Sequence, residues 1–231
     1  MASPGATVGL AILIGCFAAM LIWQQVSHIR RVKADRSALF EDCGDLFTDL
    51  VVDARGLDFP TARGTFKGKR VRIQPVVDSL GIRTLPTLWL VITVDEPIDV
   101  RGECSILARP VGTEFYSRHH VLTNRLRPEP PWPPELSVRV SDASCDWLLE
   151  DAARAAVCAL MQSDTRIKEL VMRPVGMRIV WRCSNAQPST YRVTRRVDLD
   201  GVRADPVALG RALTDARSVL PMSTPTYRGS A

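Results

Sequence analysis

Three histidines, His28, His119 and His120, offer imidazole chemistry in this chain, and two of them are adjacent. Neighbours on a strand point to opposite faces, so His119 and His120 cannot share one metal ion without a further ligand such as Glu114 or Cys104. Paired acids occur at Asp95-Glu96 and Glu150-Asp151. Glycosidase-like catalysis needs two carboxyls converging across a cleft, and adjacency in sequence supplies no convergence. A strand exit and a solvated helix face account for the two pairs. The cysteines, Cys16, Cys43, Cys104, Cys145, Cys158 and Cys183, form no C-x-x-C pair and no cluster with histidine. Cys104, Cys158 and Cys183 fall on predicted core elements, where a thiol serves as a small hydrophobe. Phosphate-loop, dinucleotide, nucleophile-elbow and H-E-x-x-H patterns are absent. No catalytic residue, cofactor or metal ion is expected on these grounds.

The chain has 231 residues, a formal charge of +5 and an isoelectric point near 9.1. Of its 30 basic residues, 26 are arginine. They are scattered and often alternate with apolar residues, so the basic balance does not mark a nucleic-acid surface. An odd, dispersed set of cysteines beyond Cys16 suits a reducing compartment.

Nothing from Ala2 to Val26 is charged, and the run Thr7 to Trp23 is almost wholly apolar. At about 1.5 Å per residue it approaches the roughly 30 Å of a bilayer core. A cleaved signal peptide needs a basic start, which Met1 to Ala6 lack. Leu13-Ile14-Gly15-Cys16 has the look of a lipobox, but the apolar run continues past it. A core helix should show a polar face. The sequence therefore predicts a transmembrane helix over 7–26, a short extracytoplasmic terminus over 1–6, and a basic flank over 27–36. Arg30, Arg31, Lys33 and Arg36 place that flank on the cytoplasmic side, with Trp23 at the membrane interface. The expected location is the bacterial inner membrane, single-pass, with the C-terminal domain inside.

Behind the flank the pattern is α+β: a mostly antiparallel sheet packed with two to three helices over 37–221, and a loose tail over 222–231. Apolar spacing predicts a helix over 36–53. Strands are expected at 61–66, 69–77, 85–94, 104–109, 137–140, 168–173, 177–183 and 191–197. Helices are expected at 146–161, capped by Asp142 or Ser144, and from Asp205-Pro206 to about Leu220. Helix-then-strands occurs twice, which suggests a pseudo-repeat of 37–110 and 146–221. Between Val111 and Leu136 regular patterning lapses, ending in the proline run PEPPWPP. A long irregular excursion in a small domain is often functional. Its Glu114, Phe115, Tyr116, His119, His120 and Trp132 make it the candidate partner-binding loop.

The leading expectation is a non-enzymatic, membrane-anchored protein-binding or scaffold module, with the lipid bilayer and a protein as partners. Two alternatives stay open: an enzyme or hydrophobic-ligand carrier without common motifs, and a periplasmic-facing envelope protein with an uncleaved anchor. A deep pocket holding His119 or His120 and a carboxylate would favour the first alternative. Oligomeric state is not readable.

Overall fold

The computed structural model describes residues 4–80, 85–126, 132–141, 150–195 and 197–220, with side chains from Leu13 onward, Thr194 excepted. The two cap candidates, the first turn of the helix expected from Asp146, residues 127–131 of the excursion and the tail from 222 lie outside them.

Nine strands form one sheet: β1 Thr48–Asp53, β2 Thr61–Phe66, β3 Lys69–Asp78, β4 Thr87–Asp95, β5 Cys104–Ala108, β6 Asn124–Leu126, β7 Leu136–Val140, β8 Ile167–Arg173 and β9 Gly176–Asn185. Their order across the sheet is β1-β2-β3-β4-β9-β8-β5-β7-β6, and every pair is antiparallel. The expected mostly antiparallel sheet is present. β5, from the first of the two suggested repeat units, lies between β8 and β7.

One face of the sheet is hydrocarbon. Alternation in β4 and β9 turns Leu88, Leu90, Ile92, Ile179 and Trp181 to it, all essentially inaccessible. The 3-10 segment Ala38–Leu46, helix α2 (Asp151–Ser163) and helix α4 (Pro206–Ser218) cover this face with Phe40, Met161 and Leu213 among others. Asp205 caps α4 as its sequence promised, accepting from the amides of Val207 and Ala208 at 3.0 and 3.1 Å, with Pro206 starting the helix. At the other end of α4, Arg217 grips Glu96 through two bonds of 2.7 and 2.8 Å, and Lys69 adds a third contact at 3.2 Å. Burial opposes the charge on Glu96, but these two cations outweigh it and hold its carboxyl below the usual range. Gly176, at φ 152°, opens β9 where a Cβ would run into the Val94 carbonyl oxygen.

Three sequence expectations are corrected. The first concerns the membrane. Helix α1 (Pro4–Ser37) runs 34 residues without a break through both the expected span and its flank. Among the described residues no helix is long and apolar enough to cross a membrane. The transmembrane helix over 7–26, and the single-pass membrane architecture built on it, are therefore not upheld. The described apolar side chains of this stretch, such as Phe17 and Trp23, are exposed along α1.

Secondly, the helix expected over 36–53 ends early: α1 stops at Ser37, the 3-10 segment follows, and Thr48–Asp53 is strand β1. Asp49 takes φ 55°, a conformation that breaks a helix and that aspartate tolerates, and it makes a bulge in the β1–β2 pairing. Thirdly, the strand expected over 191–197 is replaced by helix α3 (Pro188–Thr194). Pro188 stands in its first turn and Arg195 closes it in the left-handed region.

Candidate functional site

The opposite face of the sheet is not hydrocarbon throughout. Over β1–β3 it exposes Arg63, Arg72 and Gln74 to solvent. Over β9, β8, β5 and β7 it is crossed by an arm, residues 109–123, most of it the first part of the irregular excursion that begins at Val111. The arm's Tyr116 packs on an apolar patch of Val91, Val180 and Trp89, and the other side chains meeting the arm include a polar set. β5 contributes Ser105, β7 Ser137 and Arg139, and β9 Arg178. β8 contributes two consecutive residues, Lys168 and Glu169, while Ile167 and Leu170 both turn to the hydrocarbon side. Strict alternation forbids that. The irregularity between Ile167 and Glu169 allows it, by inserting one extra residue opposite β9.

Glu169 is fully inaccessible. It accepts from the hydroxyls of Ser105 at 2.8 Å and Ser117 at 2.7 Å, and faces Arg178 at 3.4 Å. Arg178 also donates to the Tyr116 carbonyl on the arm. Burial lowers the pKa of Arg178, with Glu169 opposing that shift. Lys168 repeats the arrangement nearby: its ammonium lies 2.8 Å from Glu114 and donates to the Arg109 carbonyl at 2.6 Å. Glu114 further accepts from the amides of Val111 and Gly112 at 2.7 and 2.9 Å. Burial works against its ionisation, but Lys168 and the Val111 amide prevail and keep its carboxyl below the ordinary range.

His119 lies at the centre. Its Nδ1 is 3.0 Å from Ser105 Oγ and its Nε2 is 2.9 Å from Ser137 Oγ. Its backbone amide donates to Ser117 Oγ at 3.0 Å. Burial, with Arg139 close by, pushes its pKa down to about 4, so the ring is neutral at pH 7. With both ring nitrogens occupied by hydroxyls, His119 has no lone pair aimed at a metal ion. No group of metal-ligating side chains occurs among the described residues.

The outer end of this network opens into a cleft of about 590 Å³. Leu80, Leu107, Pro110 and Phe115 form its apolar wall; Ser137, His119, Arg125 and Arg139 form its polar one. Arg139 donates to the carbonyls of His119 and Leu122 at 3.4 and 3.3 Å, while its Nε has no hydrogen-bond partner.

The residues singled out in the sequence separate here. His119 is buried and His120 exposed, on the 3-10 turn His119–Val121 rather than a strand. Tyr116 is buried against Trp89 and Phe115, at ring separations of 5.5 and 5.4 Å. Trp132 packs instead against the hydrocarbon core, so the three aromatic residues of the candidate loop do not make one surface. Glu114 anchors the arm from within. Trp23, Arg30, Arg31 and Lys33 lie exposed or half-exposed on α1, away from the cleft. Arg36 is docked, with its guanidinium bonded to the Leu57 carbonyl and 5.1 Å from the centre of the Phe59 ring.

Ser105, Ser137, Glu169 and Arg178 were not singled out from sequence. The signal was faint: Lys168-Glu169 interrupts an otherwise apolar strand, and Arg178 interrupts another.

No family model matches the chain, and no curated protein matches it. A similar solved structure is the crystal structure of the mycobacterial trehalose monomycolate transport factor A, TtfA. It is 12% identical, the match covers 84% of this chain and 99% of that one, and the TM-score is 0.41. A likeness at that level carries no functional weight for this chain.

Proposed function

We propose that the cleft under the arm binds a small amphiphile, an acyl chain with an anionic or ester head. This follows the ligand-carrier or enzyme alternative rather than the anchored scaffold. The observation that carries it is the division of the cleft walls. Its volume falls in the usual range of about 300–1,000 Å³ for small-molecule sites. Its apolar side includes Leu80 and Phe115, both more than half exposed without a ligand. Its acid, Glu114, is already neutralised by Lys168 and two amides, so the guanidiniums of Arg125 and Arg139 set the sign of the field. Guanidiniums at Arg125 and Arg139 in the lining suit an oxygen-rich head group.

Displacement of a fluorescent fatty acid by alkanoates of increasing length tests the reading. Affinity should rise with chain length. Arg125→Ala and Arg139→Ala should each weaken binding about tenfold, as expected for loss of one charge-assisted contact. Equal affinity for the matching alkanol would count against the anionic head. A protein contact on the outer surface of the arm is a second reading, supported by the exposure of Val111, Phe115 and Val121. Val121→Ser would then abolish partner recovery while fatty-acid affinity stayed unchanged.

A further inference from the structure

The direction of each hydrogen bond in the buried network can be worked out from Glu169 outward. A serine hydroxyl carries one proton. Ser105 commits its proton to Glu169 Oε1 at 2.8 Å. It can therefore only accept from His119, whose Nδ1 lies 3.0 Å away. So Nδ1 carries the imidazole hydrogen. In a neutral ring the lone pair is then on Nε2, 2.9 Å from Ser137 Oγ, and Ser137 must donate to it. The carboxylate thus selects the tautomer of the histidine through an intervening serine. The chain of bonds ends on a half-buried hydroxyl in the wall of the cleft.

Nucleophile, base and orienting group stand in sequence, which is the general requirement for an activated serine. A histidine serving only to fasten the arm would not need to end its bonds on a hydroxyl facing the cleft.

We propose that Ser137 is a nucleophile for acyl transfer from esters of apolar acids, with His119 as its base and Ser105 and Glu169 as positioning residues. The proposal rests on the amphiphile-binding reading of the same cleft. Ser137 Oγ bonds to the ester carbonyl carbon as its proton passes to His119 Nε2. The bond to the alcohol oxygen then breaks, and the alcohol leaves with that proton. Water adds to the acyl-serine by the same route, giving the free acid and restoring Ser137. Positive charge forming on the imidazole is balanced through Ser105 by Glu169. Arg139, two residues along β7 on the same face and in the cleft lining, brings a cationic guanidinium toward the carbonyl oxygen as it becomes negative. The acyl chain lies on Leu107 and Phe115.

The test treats the full chain with an alkyl fluorophosphonate, in which a serine oxygen displaces fluoride, and follows the adduct by intact mass and peptide mapping. One adduct is expected, at Ser137, and none in Ser137→Ala, an almost isosteric change. His119→Gln should slow labelling about 10²–10⁴-fold, the usual contribution of a general base. With p-nitrophenyl octanoate, Ser105→Ala should lower kcat with KM unchanged, and Ser105→Thr should restore kcat. A structural role for Ser105 would not split the two constants in that way. No adduct on the wild-type chain, an adduct elsewhere, or equal labelling of wild type and His119→Gln overturns the proposal. Wild-type protein that binds the fluorescent fatty acid yet resists the probe overturns acyl transfer alone. Protein that does neither overturns the cleft reading as well.

Discussion

The two faces of the central sheet are held by different forces. Toward α2 and α4 the contacts are hydrocarbon on hydrocarbon, around residues such as Leu170 and Ile179. Toward the arm, beside a small apolar cluster of Val91, Val180 and Tyr116, they are ion pairs and hydroxyls around Glu169 and Glu114. Apolar burial is non-directional and tolerates repacking at constant volume. A buried charge is satisfied by only a few geometries, and desolvation cancels much of what its pairing gains. The helix side therefore accounts for the stability of the fold. The arm side adds little net stability and fixes one position of the arm over one set of side chains. That is the economy expected of a site, in which geometry matters more than strength.

Substitutions can break this contrast, beginning with the largest effect. Glu169→Ala should cost about 3–5 kcal/mol in urea unfolding, because Arg178 would be left buried and uncompensated. A cost below about 1 kcal/mol would mean that water reaches Arg178 and that the face is not dry. Across the sheet, Leu170→Ala should cost about 2–5 kcal/mol, but Leu170→Met less than about 1.5 kcal/mol. If Leu170→Met proves as damaging as Glu169→Ala, the two faces do not differ in tolerance.

Acid should act first on the arm side. The pKa of His119 is about 4 in the fold against the ordinary 6.5 when unfolded. Between those values the unfolded chain binds the extra proton, so stability falls as pH falls, by up to about 3 kcal/mol. It is fully retained above pH 6.5 and lost on approach to pH 4. His119→Gln should remove that slope from unfolding measured between pH 7 and 4.5. An unchanged slope would show that other groups carry it. Smallest is Asp205→Ala, which removes the cap of α4 on the hydrocarbon side and should cost about 1 kcal/mol by thermal unfolding without altering fatty-acid binding.

What the sequence made legible follows the same division. Alternation located β3 and a continuous apolar, β-branched run located β4, each to within a few residues, because such patterns are local information. Asp205-Pro206 named the start of α4 for the same reason. Where local signals conflict, the reading fails. Leu46, Phe47, Leu50 and Val51 fit a helical period by spacing, while β-branched Val51 and Val52 and the turn at Asp49 favour a strand. Pro188 carried the helix-start signal for α3 that β-favouring Tyr191 and Val193 obscured. The excursion was recognised as unusual, and His119 with it. Its partners were not, since Ser105, Ser137 and Glu169 come from three strands that only the strand order brings together. A polar residue inside an apolar strand is a clue to a second covered face, but it does not say what covers it.

The outer margins of the sheet have a consequence of their own. A long, flat margin invites a strand from another molecule to zip along it. Here one margin, β6, bears Arg125, while the other, β1, is kinked at Asp49. Neither gives a visiting chain a straight track. A charged margin and a kinked one both work against ribbons built by pairing one copy's edge with the next.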